Sequence, residues 1–446
     1  MPPFPVVANP VHPAANATAP SPAARRSDRR VRPTLRIEDP RLSLPTFVWL
    51  VNISGLRHSV NMLDTNPTSP GHVLAVLRAE GPLTRQELQE RVGVSRVTMV
   101  ERLDALRRTG LVRRVGHRES SGGRRAELLA VDDTGHTALV ADIGQSHATL
   151  AVVDLRGNVF ARQDLRLSTR HGPHETLPML VDEARSLLSQ SGRAESLCAV
   201  GLSVPGQIDH DAGVTTAPPT MREWGGVRLR DPFADAFGVP VLLENDANAL
   251  ALADYYAMGR PKATVVGVKV GTGIGAGLVI EGRPHRGETG SAGEIGHMRI
   301  EGSNQRCSCG RRGCVAAEAS GQALVRTLRE HGVRSVDDVV RWVAGGRREA
   351  IEAVSAAGRL VGTVLATVVS IVNPRYLRLG GAVGVLPPFV EALRATVEAN
   401  AHASALRKLD IAASQLGDRG AFVGLAGLVA DEMLSPTTVD ALCRRL

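Results

Sequence analysis

Three of the five cysteines, Cys307, Cys309 and Cys314, fall within one short segment, and His297 precedes the first of them by nine intervening residues. One imidazole and three thiolates in this pattern form a closed Cys3His set, the donor set that tetrahedral Zn2+ takes in structural sites. Gly302, Gly310 and Gly313 let such a loop wrap back on an ion. Five cysteines in 446 residues, three of them clustered, do not make a disulfide framework, so the segment points to metal ligation in a reducing compartment. Cys198 lies in an apolar run and reads as a small core residue; Cys443 is isolated.

The length suits a small module plus a large two-lobed one. With 43% hydrophobic and 22% charged residues the composition is that of a globular protein. No run approaches twenty uninterrupted apolar residues. The Pro/Ala-rich, then Arg-rich start lacks the compact apolar stretch of a signal peptide. A cytoplasmic protein with no membrane partner is the expectation. The net charge of +8 suits a polyanion-binding protein, and its distribution is more telling than its total.

Four zones follow. Residues 1–68 are Pro-rich with Arg25, Arg26, Arg29, Arg30, Arg32 and Arg36. They read as largely disordered, with a short helix expected near Phe47 to Leu63, and as either a solvated tail or a basic arm. Residues 69–135 show short helices and then a hairpin. Residues 136–260 and 261–446 alternate strands and helices, the rhythm of two α/β lobes, divided where Gly259 and Pro261 precede a strand from Thr264 to Val270.

The second zone reads as an α+β winged helix-turn-helix. Val73, Leu74, Val76 and Leu77 form the apolar face of a first helix that Gly81-Pro82 stops. Thr84 with Glu87 is a capping box for a second. Ser95 caps a third, whose apolar positions Val97, Val100, Leu103 and Leu106 leave Ser95, Arg96, Thr98, Met99 and Arg102 for base edges in a major groove. Strands Leu111 to Val115 and Ala126 to Val131 flank a Gly-rich wing tip, where Arg118, Arg124 and Arg125 suit phosphates or a minor groove. A double-stranded DNA operator is the expected partner, a protein-interaction module of the same fold the alternative.

Beyond it, V-G-L-S-V-P-G-Q-I-D from Val200, L-L-E-N-D-A-N-A-L from Leu242, G-T-G-I-G-A-G from Gly271, G-E-I-G-H from Gly293 and C-S-C-G-R-R-G-C from Cys307 stand in order. This ordered set resembles the ROK family, which mixes sugar kinases with sugar-responsive repressors, from about Leu111 to the end. The resemblance implies an α/β actin-like, ribonuclease-H-like two-lobed domain of the sugar-kinase fold. It makes Asp246 the catalytic base of a kinase-active member, with Asn245, Glu294 and His297 also hydrogen-bonding sugar hydroxyls. On residues alone, Asp246 at the cleft can accept the proton of an attacking hydroxyl, with a mere helix cap as the alternative. Asp142 and Gly144 would form the first phosphate loop, Gly271, Thr272, Gly273, Gly275 and Gly277 the second, and Gly380 and Gly381 the adenosine loop. Family precedent implies a homodimer or homotetramer, and zinc on His297 would link metal and sugar site mechanically.

Against the family's D-I-G-G-T-K the chain has Asp142-Ile143-Gly144-Gln145-Ser146-His147. Gln145 hinders close backbone approach to phosphate, and His147 removes a permanent charge. Ala316 stands where a sugar-site Glu is usual, with Glu318 turned by about 200° if the segment is helical. Pro219-Thr220 stands where Asn is usual. Phosphoryl transfer rests on positioning and charge stabilisation, so the degraded loop leaves a vestigial nucleotide site. The reading is a sugar-responsive transcriptional regulator of carbohydrate metabolism, a repressor, with a sugar or sugar-phosphate effector and a structural Zn2+. The alternatives are an active ATP-dependent kinase for a hexose or N-acetylhexosamine with an appended DNA-binding module, and a constitutive DNA binder whose α/β part only dimerises.

Overall fold

The computed structural model describes residues 66–118, 125–167, 172–216 and 222–446, all within one compact unit. The expected helix at Phe47 to Leu63, the arginine run before it, Arg124 of the wing tip and Pro219-Thr220 lie outside the described residues.

The chain opens with a three-helix module. Helix α1 (Pro70–Glu80) starts where the Ser69 side chain accepts from the His72 N–H and ends at Gly81, φ 85°, a conformation that favours glycine. After β1 (Leu83–Thr84), α2 (Arg85–Val92) carries both halves of the Thr84–Glu87 capping box, which satisfies two free N–H groups. Ser95 caps α3 (Arg96–Arg108). Strands β2 (Val112–His117) and β3 (Glu127–Val131) pair antiparallel, and β1 joins the free edge of β3. Three helices and a three-stranded antiparallel sheet result, with the two hairpin strands within two residues of the sequence expectation.

The first α/β layer comprises β4 (Thr137–Ile143), β5 (His147–Asp154), β6 (Val159–Arg166), α4 (Pro173–Gln190), β7 (Leu197–Val204), the short pair β8 (Ile208–Asp209) and β9 (Val214–Thr215), α5 (Arg230–Phe237), β10 (Val241–Asn245) and α6 (Asp246–Ala257). Its sheet order is β10-β7-β4-β5-β6. The second comprises β11 (Val265–Val270), β12 (Ile274–Ile280), β13 (Arg283–Pro284), α7 (Val315–Ala319), α8 (Gly321–Thr327), α9 (Val336–Ala344), α10 (Arg348–Val372), β14 (Tyr376–Gly380), α11 (Gly381–Gly384), α12 (Pro387–Asn400), α13 (Ala403–Leu406) and β15 (Asp410–Ala413), in the order β13-β12-β11-β14-β15. Both sheets run an antiparallel meander into parallel strands, the duplicated plan of an actin-like domain. Among the described residues α10 alone has the length and apolarity to cross a membrane; its Val354, Val361, Leu365 and Val369 are buried in the core of this second layer.

The last two helices, α14 (Gly420–Met433) and α15 (Pro436–Arg445), return to the first sheet and the winged module. Leu74, Leu77 and Leu103 of that module, Val439 of α15, Phe422 and Leu425 of α14, and Val140 and Val153 of the first sheet form one continuous apolar cluster. Backbone meets backbone at Gly71, where a Cβ would lie 2.2 Å from the Pro436 carbonyl oxygen, and the Gly71 N–H donates to Asp440 Oδ1 at 2.7 Å.

Helix α6 is gripped between the layers by glycines. A Cβ on Gly267 of β11 would meet Ala251 Cα at 2.7 Å, one on Gly277 of β12 the Ala247 carbonyl oxygen at 2.4 Å, and one on Gly424 of α14 the Ala249 carbonyl oxygen at 2.0 Å. Asp254 lies buried on this helix, accepting from Ser414 Oγ at 2.9 Å, while its Oδ2 has no hydrogen-bond partner. Burial pushes its carboxyl up from 3.8 to about 6. The folded state therefore holds the Asp254 proton more tightly than the unfolded chain does. That contribution is full below pH 4 and is lost as pH rises through about 6. Asp254→Asn is expected to stabilise the protein at pH 8 by on the order of 2–3 kcal/mol, with the gain shrinking towards pH 5, as denaturant titrations at both pH values would measure.

Candidate functional site

The candidate residues meet at the start of α6. Asn245 caps this helix: its Oδ1 accepts from the N–H groups of Ala247 (2.8 Å) and Asn248 (3.1 Å), and its Nδ2 donates to the Gly206 carbonyl at 2.8 Å. Asp246 is thus not the cap. Its carboxylate stands in the first turn, at the positive end of the helix dipole, and pairs with Lys269 Nζ at 3.0 Å. Burial opposes the charge on Lys269, but the Asp246 and Asp142 carboxylates outweigh it and hold the ammonium above its usual range. Asp142, near the end of β4, accepts from Ser203 Oγ at 2.5 Å.

Glu294 and His297 complete the group. Burial, then the negative charge of Asp246, raise the Glu294 carboxyl above the usual range. The His297 ring faces two ways. Nε2 is 3.8 Å from Glu294 Oε2, and Nδ1 is 3.6 Å from Cys307 Sγ. Cys309 Sγ and Cys314 Sγ are 3.7 Å apart, and the four donor atoms all lie within 4.8 Å of one another. A tetrahedral ion with bonds of about 2.3 Å to sulfur and about 2.0 Å to nitrogen sets S···S edges of about 3.8 Å and N···S edges of about 3.5 Å. The cluster fits such a metal. The loop closes through Cys307 N–H to the Arg311 carbonyl (2.8 Å) and Gly310 N–H to the Cys307 carbonyl (3.0 Å). Glu318 accepts from Ser303 Oγ, so it braces this loop.

Glu244, which the sequence reading passed over, is fully buried behind the site. It accepts from Arg286 Nε (3.0 Å) and Nη2 (2.6 Å), from Asn248 Nδ2 (2.9 Å) and from the Asn245 N–H (3.0 Å). An ion pair thereby ties the first sheet to the segment after β13. Its only sequence signal was one acid ending an apolar strand. At the far end of α6, Asp431 of α14 gathers Arg78 Nη2 of α1 (2.8 Å), Arg260 Nη1 (2.8 Å) and the Tyr256 hydroxyl (2.7 Å). One carboxylate thus joins the winged module to the helix that carries Asp246.

The glycines divide by role. Gly271 and Gly273 have open space where a Cβ would point, and Gly275 faces Ala247 at ordinary contact distance. Gly277, expected to admit phosphate, instead admits α6. Gly380 lies against Leu250, and Gly381, φ 80°, against the Val270 carbonyl. Thr272 accepts from the Gln322 N–H at 3.4 Å through its carbonyl. At the first loop the His147 ring lies over Gly144, its nearest carbon 2.8 Å from where a Cβ would be. The substituted histidine occupies the space beside Gly144 that a side chain there would need.

On the winged module Ser95 and Arg96 are exposed, and Thr98 Oγ1 is 2.9 Å from Ser95 Oγ. Met99 is the correction: it is completely buried, whereas Val97 is 69% exposed. A strict i, i+3, i+6, i+9 row drifts by about 60° per step at 3.6 residues per turn, so it cannot stay on one face. The core follows Met99, Leu103 and Leu106. Arg102 Nε donates to the Thr68 carbonyl at 3.0 Å, tying down the entry to α1. Arg118 pairs with Glu87 and, with the Thr84 N–H, draws that carboxyl down to about 2. Arg125 is exposed.

Residues 139–432 match the ROK family. The chain belongs to the ROK family. It is 26% identical to the xylose repressor of Bacillus subtilis (strain 168) over 371 residues, which cover 82% of this chain and 96% of that one. It is 28% identical to the DNA-binding transcriptional dual regulator NagC of Escherichia coli (strain K12) over 373 residues, 80% and 90% of the two chains. A ROK family transcriptional regulator described as a homolog of the E. coli MLC protein shares the fold over 84% of this chain and 98% of its own, with a TM-score of 0.72 at 22% identity. The ROK hexokinase of Thermus thermophilus matches 67% of this chain and 99% of its own, with a TM-score of 0.56 at 29% identity. The ROK match begins in β4, so the winged module precedes it.

The corrected face of α3 has a direct consequence. Met99→Ala is expected to cost about 2–4 kcal/mol, as a buried large-to-small change does. Val97→Ala is expected to change stability by less than about 0.5 kcal/mol. Chemical denaturation of the two variants measures both.

Proposed function

We propose that this ROK family member is a sugar-responsive DNA-binding regulator, a repressor of genes for carbohydrate use. The carrying observation is that one helix, α6, has the candidate sugar-binding carboxylate Asp246 at its start and, through Tyr256 and Asp431, meets Arg78 of the winged module at its end. The helix spans about 18 Å at 1.5 Å per residue. The xylose and N-acetylglucosamine repressors among the chain's relatives support the same reading.

Sugar hydroxyls are bound by Asn245, Asp246, Glu294 and His297. Structural Zn2+ on His297 Nδ1, Cys307, Cys309 and Cys314 fixes that ring so that Nε2 faces the ligand beside Glu294, an orienting effect of the kind metal-bound histidines receive from their surroundings. A cytoplasmic setting keeps the thiols reduced. On the duplex side, Ser95, Arg96 and Thr98 face the major groove with Val97, whose exposed methyls suit a thymine methyl, and Arg125 meets phosphate. The assembly is a homodimer or homotetramer reading two half-sites, 1–68 being an extension ahead of the reader. Ligand shifts DNA affinity only as far as it favours one arrangement of the layers over the other.

The second reading, an active hexose or N-acetylhexosamine kinase, is favoured by Asp246 and by the open Gly271 and Gly273. The His147 ring over Gly144 counts against it. ADP release across a sugar panel separates the two: turnover establishes the kinase, and sugar-dependent loss of DNA without turnover establishes the regulator.

Thermal shifts with D-xylose, D-glucose and N-acetylglucosamine, free and phosphorylated, followed by titration of a duplex selected from a random pool, test the regulator. No sugar-dependent change in DNA affinity across the panel overturns it. Asp431→Asn is expected to leave sugar binding intact and to reduce the sugar-dependent change in DNA affinity by about fivefold or more, the range of ordinary coupling energies. Cys314→Ser is expected to lose most of its zinc by elemental analysis and to weaken sugar binding by about tenfold or more.

A further inference from the structure

The actin-like sugar-kinase fold implies a nucleotide whose phosphates are bridged by a divalent cation, and this chain's residues do not fit that ion. A hard divalent cation binds through one or two carboxylates together with phosphate oxygens. Asp142, near the end of β4, and Asp246, at the start of α6, are the carboxylates that act on Lys269. Lys269 already pairs with Asp246 and carries its charge in the field of Asp142. Its Nζ is 3.0 Å from Asp246 Oδ2, and the two carboxylates together hold it charged against the cost of burial.

The sequence around it supports the placement. Lys269 pairs across the sheet with Gly275 on one side and Gly380 on the other, so neighbouring strands offer no side chain to crowd it. Two residues earlier the same face carries Gly267, pressed against α6. Lys269 is therefore the large side chain in a row otherwise cleared for that helix, and it reaches the helix's first residue. Only three of the chain's 53 basic residues, Lys262, Lys269 and Lys408, are lysine. Where nearly every other cation is a planar guanidinium, this one is a compact ammonium, the shape that substitutes for a point ion.

We propose that Lys269 is a built-in cation standing in for the divalent ion between Asp142 and Asp246, so that the cleft takes its ligand without metal and excludes a metal–nucleotide. The inference rests on the reading of this cleft as the ligand site but not on the identity of the sugar. A divalent ion brought to the same carboxylates meets the repulsion of the ammonium and loses an oxygen of Asp246 to it. That oxygen and that charge are equally withdrawn from a sugar hydroxyl awaiting deprotonation, which accords with a chain that binds and does not phosphorylate.

Manganese alone, added to the zinc-loaded full chain and followed by its electron paramagnetic resonance signal, tests this without sugar or DNA. The wild type is expected to show no site tighter than about 1 mM, the weak end of carboxylate sites. Lys269→Met is expected to gain a site about tenfold tighter or better, and Lys269→Met with Asp246→Asn to lose it again. Tight manganese binding by the wild type overturns the proposal, as does a folded Lys269→Met protein that gains none. Lys269→Gln, closer in polarity, repeats the test if the methionine variant does not fold, and the wild-type titration decides by itself if neither does. Failure here leaves the sugar-responsive regulator standing, since its own test is the sugar dependence of DNA binding.

Discussion

The close seating of α6 is the constraint on which the rest depends. Gly267, Gly277 and Gly424 approach it from β11, β12 and α14, each where a methyl group would collide with helix backbone. Interiors packed at crystal-like density move between discrete arrangements and do not deform smoothly. A helix held on these sides transmits displacement along its length. Asn245 and Asp246 stand at one end of it and the Asp431 cluster at the other, so a ligand that moves the first residues has a stiff path to the winged module.

Charge placement complements that packing. Glu244 is buried beneath the site, and Arg286 and Asn248 supply the hydrogen bonds without which a buried carboxylate is costly. The same carboxylate takes the Asn245 N–H, and Asn245 in turn caps α6. The site's two halves are thereby registered against each other before any ligand arrives. His297 performs a similar task towards the cysteine cluster, with Nδ1 towards Cys307 and Nε2 towards Glu294. Glu244 and the cysteines thus help to set where Asn245 and His297 stand.

Much of this was legible in the chain. The caps at Thr84 and Ser95, the wing hairpin, the two α/β layers and the Cys3His donors all follow from local rules that need no knowledge of what lies across the molecule. The failures are non-local. Lys269, Arg286 and Asp431 act through partners 23, 42 and 171–353 positions away, and no spacing rule reaches that far. The face of α3 was misread for another reason. Val97 and Met99 are both apolar, and a row counted in threes drifts around the helix, so the choice between them falls to the packing of α1 and the wing. Gly277 was assigned to phosphate because a run of glycines looks alike whether it admits a ligand or a helix.

The uninterrupted apolar cluster running from α1 and α3 through α15 and α14 into the first sheet has a consequence for how such regulators diversify. A winged module joined by a free linker can be exchanged like a cassette. This one shares its interior with helices contributed by the opposite terminus, so a transplanted version must bring Pro436, Asp440 and Val439 with it or expose greasy surface on both fragments. Changes at the exposed Arg96 and Val97 of α3 leave that shared interior untouched, whereas exchange of the whole module does not.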